Sequence, residues 1–256
     1  MWTMLATIAG TPPRTDGSLM RGILHLWRST VGKKVAMAAT GALLVAYILS
    51  HVLANLLVYT GPELINGYGA LLHSTGMLLW VARGILLLAL IVHVTAAVQL
   101  TRVSRAARPV DYAAYEPQVS TMAARTMRWG GLALLIFIVI HTVQMTMGIW
   151  HPDFRPGDDY ANVVTVFRLW WTVPLYLLAV IALGMHLYHG TWSVLRTLGV
   201  SRPSERPLRR PLVLAFALFV ALGFASIPLA VKAGVVRLQP ATPASMATHT
   251  PRPPAH

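Results

Sequence analysis

Four long apolar runs each carry a single histidine inside or at the end of the run. His51 lies in Thr40–Asn55 (TGALLVAYILSHVLAN), His93 in Gly84–Gln99, His141 closes Leu132–His141, and His186 closes Tyr176–His186. Runs of this length and apolarity read as membrane-crossing helices. An ionisable side chain at depth in such a helix is costly and has to have a reason. Any account of the chain must explain four of them.

The rest of the composition agrees. Of the 256 residues 55% are hydrophobic and only 11% charged, against about 25% charged in soluble domains; the mean hydropathy is +0.59. The sequence contains no cysteine, which excludes disulfides, thiolate catalysis, iron–sulfur ligation and cysteine–zinc sites. The net charge of +13 comes from Lys and Arg that flank the apolar runs. That is a topology signal rather than a nucleic-acid surface, and no stacking platform accompanies it. The first apolar stretch is short and precedes the positive residues, unlike a cleaved signal peptide. Residues 1–32 read as a cytoplasmic segment with an interfacial stretch from Ile23 to Trp27.

Five helices are predicted, at about 33–59, 74–102, 124–149, 168–197 and 211–231. Lys33 and Lys34 mark the first start and Gly61-Pro62 its end. Residues 60–75, 103–123, 150–167 and 198–210 read as loops. Pro174 is expected to bend the fourth helix, and residues 232–256, rich in Pro, Ala and Thr, read as a disordered tail. The fold class is thus all-α and polytopic, with a membrane domain over 33–231. The N-terminal flank, the 103–123 loop and the 198–210 loop are rich in Lys and Arg and fall on one side of five alternating helices. The positive-inside rule places the N-terminus in the cytoplasm and the C-terminus outside.

Topology then sets depth. His51 and His141 each lie roughly 17 residues along a helix that starts inside, and so fall in the outer half. His93 and His186 lie roughly as far along helices that start outside, and fall in the inner half. The two levels differ by roughly 12 Å from helix rise. Two neutral imidazoles on facing helices suit the axial positions of a b-type haem. The expectation is a four-helix bundle holding two haem b, one per level, plus a fifth helix. A single buried histidine more often just bonds a neighbouring helix, but four at paired depths are harder to explain that way. Zinc prefers four ligands at one site. A proton-transport role would call for carboxylates, and the helix interiors have essentially none. Gly41, Ala42 and Ala46, with Gly84, Gly130, Gly131 and Gly184, offer room for a flat macrocycle or simply for close helix packing. His189 shares a face with His186 and is the second choice of ligand. Arg83 on the outer side, and Lys33 and Arg128 on the inner, are candidate partners for haem propionates. His73 and Trp80 near the outer level are candidates for a quinone or other flat ligand.

Several stretches together make the chain resemble a known family: Ser29–Gly41 (STVGKKVAMAATG), His51–Leu56 (HVLANL), Met185–Ser193 (MHLYHGTWS) and Thr197–Gly199. Over residues 30–230 it resembles the single-subunit, five-helix, dihaem cytochrome b subunits of succinate dehydrogenase and fumarate reductase. That resemblance implies axial ligation by His51 with His141 and His93 with His186. It implies an iron–sulfur subunit docked on the cytoplasmic face, carrying a FAD-containing flavoprotein, in a bacterial cytoplasmic membrane, with a higher oligomer of the complex compatible with it. It implies electron transfer to or from a membrane quinone, menaquinone by class, with Glu63, His73, Trp80 and Arg83 as the polar and aromatic residues nearest an outer quinone site. The chain itself would not touch the dicarboxylate. Some relatives carry an acid at the outer end of the second helix and another just before the fourth ligand. Here His73 and Gly184 stand near those places, which argues against a carboxylate proton path. The competing functions are the dihaem anchor of a hydrogenase or nitrate reductase, and a haem-free transporter or structural anchor.

Overall fold

A computed structural model describes residues 21–22, 27–107, 122–199 and 206–238. The expected interfacial stretch, most of the 103–123 loop, part of the 198–210 loop and the tail beyond residue 238 lie outside them. Among the described residues the structure is all-helical: α1 (Thr30–Leu56), a 3-10 turn (Leu57–Thr60), α2 (Pro62–Ser74), α3 (Met77–Ala106), α4 (Met122–Met145), α5 (Asp159–Arg168), α6 (Thr172–Thr197) and α7 (Arg206–Lys232). Five of these helices, α1, α3, α4, α6 and α7, are long and apolar enough to cross a membrane.

Local chemistry sets the boundaries. Ser29 caps α1 by accepting from the Gly32 N–H at 2.9 Å, so the helix starts three residues before Lys33. At its far end Gly61 takes φ +107°, a conformation open to glycine. Pro62 then opens α2, where a missing N–H costs nothing. The stretch expected as a loop at 60–75 is therefore largely a helix: the same Gly-Pro pair that ends one helix starts the next. Gly76, at φ +54°, separates α2 from α3, which begins at Met77 rather than 74. The polar 150–167 stretch is likewise partly helical. Asp158 caps α5 by accepting from the Ala161 N–H at 3.1 Å, and Tyr160 to Val164 are buried. Pro174 does not bend its helix, because α6 starts at Thr172 and the proline sits in the first turn. α4 ends at Met145, and α7 begins at Arg206, ahead of Pro211.

Within the bundle α1 packs on α3, α6 and α7, and α6 also packs on α4 and α7. Val52, Leu187, Ala217 and Val220 form the seam where α1, α6 and α7 meet. The opposite faces carry exposed Leu87, Leu88, Ile136, Leu178, Ile181 and Leu222, which is the surface a lipid-facing bundle needs. A compact cap covers one end. It joins the 3-10 turn, α2 and α5 to the ends of α6 and α7, around Val58, Ile65, Val164, Phe167 and Tyr176. Asn66 ties α2 to α5, donating to the Asp158 carboxylate at 3.0 Å and accepting from the Tyr160 N–H at 2.9 Å. Residues 233–238 fold back onto this cap, with Val236 buried and the Tyr160 hydroxyl donating to the Arg237 carbonyl at 3.0 Å.

At Gly223 an added Cβ would stand 2.7 Å from Val52 Cγ2, and Val52 is fully buried. Gly223→Ala is expected to destabilise the α1–α7 seam by about 1–3 kcal/mol, the usual cost of overpacking. A lowered melting temperature of the detergent-solubilised protein checks this. Gly67→Ala, where the new methyl meets open space, should leave it unchanged or raised.

Candidate functional site

The four histidines meet as two pairs. On the cap side the rings of His51 (α1) and His141 (α4) have centroids 5.9 Å apart and lie edge to face. Further from the cap the rings of His93 (α3) and His186 (α6) are 6.3 Å apart. Partners come from helices that are not the main packing neighbours of each other: α1 packs chiefly on α3, and α4 on α6. It is His186, one turn before His189, whose ring faces His93.

Each pair has the spacing that one shared iron would ask of two imidazoles. An imidazole nitrogen binds a metal at about 2 Å and the ring centre lies about 1 Å beyond it, so two rings on opposite sides of one iron have centres roughly 6 Å apart. No group of three or more His, Cys, Asp or Glu suited to a bare metal ion exists among the described residues. His186 Nδ1 is buried without a hydrogen-bond partner, a condition costing about 1–3 kcal/mol. On these observations the residues fit haem.

The surroundings orient the rings. Nδ1 of His93 donates to the Met37 carbonyl at 3.1 Å, leaving its Nε2 free. Nδ1 of His141 meets the Tyr176 hydroxyl at 3.2 Å, and Phe137, one turn earlier, stacks on the His141 ring. His51 lies between Tyr47, stacked one turn before it, and Phe224 of α7. The Asn55 amide, one turn later, stands 3.3 Å from His51 Nδ1. Gly41 acts on an imidazole directly. A Cβ there would come within 3.2 Å of the His93 ring, so the glycine lets α3 bring His93 against α1. Gly131 gives His186 similar clearance, with the ring 3.7 Å from the Cβ position. Gly184 instead packs against Ala221, Gly84 and Gly130 face open space, and Ala42 and Ala46 lie on the exposed side of α1.

The remaining candidates spread over several elements. Arg83 lies over the Trp80 ring, 4.9 Å from its centroid, and Trp80 is 66% exposed. Glu63 and His73 are exposed on α2. The ring Nδ1 of His73 donates to the Gly69 carbonyl at 2.8 Å. Lys33 is half-buried at the start of α1, and Arg128 is exposed near the start of α4. Sequence reading passed over Asp159, whose carboxylate packs directly on Gly69 of α2 and feels the charge of His73. It also passed over Tyr176 and Gln144. Tyr47, Asn55 and Phe137 had a readable signal, one helical turn from a ligand candidate; Tyr176 had none, because it reaches His141 from another helix.

The family model described as "Succinate dehydrogenase/Fumarate reductase transmembrane subunit" matches residues 101–225. These residues are just under half of the chain, and over them it is similar to this family. The match takes in His141 and His186, while His51 and His93 precede it. No curated protein and no solved structure matches the chain. The protein is a membrane cytochrome b subunit of the succinate dehydrogenase/fumarate reductase family and a non-catalytic partner in that complex. Its family binds haem b and assembles with iron–sulfur and flavoprotein subunits.

Burial pushes the Asp159 carboxyl above the usual carboxylate range, Asp158 adds to the rise, and the positive charge of His73 opposes it. A carboxyl whose folded pKa is raised favours folding while it is protonated. Its contribution is full below the unfolded value of about 3.9 and fades as pH rises through the folded value. The cap of wild-type protein is therefore expected to lose protection on going from about pH 4 upward, as this group ionises. Asp159→Asn should flatten that dependence, as measured by amide exchange of α2 and α5 across the same range.

Proposed function

We propose that this subunit holds two b-type haems, one on each histidine pair, and carries electrons between the iron–sulfur subunit and a membrane quinone, menaquinone by class. The observation that carries this reading is the pair of ring separations, 5.9 and 6.3 Å, at two levels of one apolar bundle. A haem held by each pair would supply one-electron chemistry between the ferrous and ferric forms of its iron.

The chain's own residues bind and orient. The Met37 carbonyl holds His93 with its Nε2 free, and the Tyr176 hydroxyl holds His141. The stacked rings of Tyr47 and Phe137 limit rotation of His51 and His141. The apolar lining keeps water from both levels. In this reading α1, α3, α4 and α6 supply the ligands and α7 is the fifth helix, within a domain spanning 33–231.

Orientation follows from charge. Lys33, Lys34, Arg102, Arg105, Arg125, Arg128, Arg196 and Arg210 gather at the end of the bundle away from the cap, while on the cap side Arg155 is paired with Asp153 at 2.6 Å. The positive-inside rule makes the cap the outer face of a bacterial cytoplasmic membrane. The N-terminus is then cytoplasmic, and the iron–sulfur and flavoprotein subunits dock on the basic face. Lys33 and Arg128 on that side, and Arg83 on the other, would be the partners of haem propionates. Glu63, His73 and Trp80, on the outer side, are the candidates to meet a quinone head group, which would exchange protons with water there.

In the purified complex, reduced-minus-oxidised spectra are expected to show two b-type components. His51→Ala or His141→Ala should deplete one of them, and His93→Ala or His186→Ala the other; selective loss of the same component from His51→Ala and His93→Ala would overturn the pairing. Gly41→Leu should deplete the His93/His186 component alone, because the new side chain takes the space of the His93 ring.

A further inference from the structure

A buried polar chain runs from His141 to the outer loop, and the fixed chemistry at its far end sets the direction of every bond along it. The Trp150 carbonyl can only accept. The Gln144 amide nitrogen therefore faces it, donating at 3.3 Å. This turns Gln144 Oε1 toward Tyr176, whose hydroxyl donates to it at 3.0 Å. With its one proton committed there, the Tyr176 oxygen can only accept from His141 Nδ1, 3.2 Å away. Gln144 is fully buried and Tyr176 nearly so. Trp150 is held at φ +61°, the only non-glycine residue with positive φ among those described, so the carbonyl that ends the chain sits on an unusually constrained piece of backbone.

Resting on the haem reading above, we propose that Tyr176 and Gln144 are positioning residues that lock His141 as the Nδ1–H tautomer, present its Nε2 to the outer iron and thereby tune that haem separately from the inner one. The inner pair has a different device, the Met37 carbonyl on His93, and no counterpart on His186. A ligand imidazole whose other nitrogen donates a hydrogen bond is a stronger base and favours the ferric state. Removing the acceptor weakens the ligand, so the outer haem becomes easier to reduce and is held less tightly.

The test is a potentiometric titration of the purified whole complex, with haem retention measured alongside. Tyr176→Phe keeps the ring packing and deletes only the hydroxyl. It should move the outer component to higher potential, leave the inner component in place, and lower retention of the outer haem by about tenfold or more. Gln144→Leu frees the Tyr176 proton to point back at His141, and should shift the outer component in the same direction; it carries the test if Tyr176→Phe assembles poorly. Phe137→Leu loses a ring stacked on His141 but no hydrogen bond, and should leave the outer potential near wild type. An outer component unmoved in both Tyr176→Phe and Gln144→Leu, moved as far by Phe137→Leu, or moved equally with the inner one overturns the proposal while the haem reading stands. A wild-type complex without haem overturns both.

Discussion

A polar group at membrane depth gains a partner only inside the chain, because lipid offers none. The helical backbone meets that requirement by itself. Side chains meet it only where the fold brings a partner across, and most of the bundle avoids the problem by being apolar. The four imidazoles are the exception, and the rest of the architecture is arranged around them. α1 and α3 approach closely enough for the Met37 carbonyl to receive His93, which is possible because residue 41 is a glycine. α4 and α6 approach closely enough for Tyr176 to reach His141.

The features that come from composition were legible in the sequence. Five spans follow from the apolar runs, and the division of the histidines into two levels follows from counting residues along alternating helices. The cap was not legible. α2 and α5 are short and carry Glu63, Asn66, Asp159 and Asn162, so they look like connecting loops. They are helical because tertiary packing buries one face of each, and because Asn66 and Asp158 satisfy the backbone where the two helices meet. Propensity is a weak guide where burial of this kind decides. The end signals themselves were visible, but Gly61-Pro62 was read as a stop alone when it serves as both a stop and a start.

The site divides in the same way. The ligand candidates are single residues of distinctive type, and they stand out as lone histidines within apolar runs. Their supports are contacts between helices: a carbonyl of α1 for His93, a hydroxyl of α6 for His141, a phenyl of α7 for His51. No spacing along one helix encodes such contacts. The glycines illustrate the limit well. Sequence reading took a set of small residues as room for a macrocycle or for close helix packing, and of these Gly41 and Gly131 meet imidazoles, Gly184 meets a neighbouring helix and Ala42 and Ala46 face outward. Residue type showed that close approach was possible, and only the helix phase showed what approaches.

Tyr176 belongs to two assemblies at once. Its ring lies in the apolar core of the cap, edge to face with both Phe137 and Phe167, while its hydroxyl faces His141. A ring packed at that density has few rotamers open to it, so the position of the hydroxyl is set by the cap as much as by α6. The cap is in turn closed by the bonds of Asn66 to Asp158 and Tyr160, and by the strap from Tyr160 to the Arg237 carbonyl. The surface helices of the cap thus hold in register the residue whose hydroxyl faces His141. A loosening of the cap would be felt first at His141 and not at His93, whose acceptor lies near the opposite end of α1.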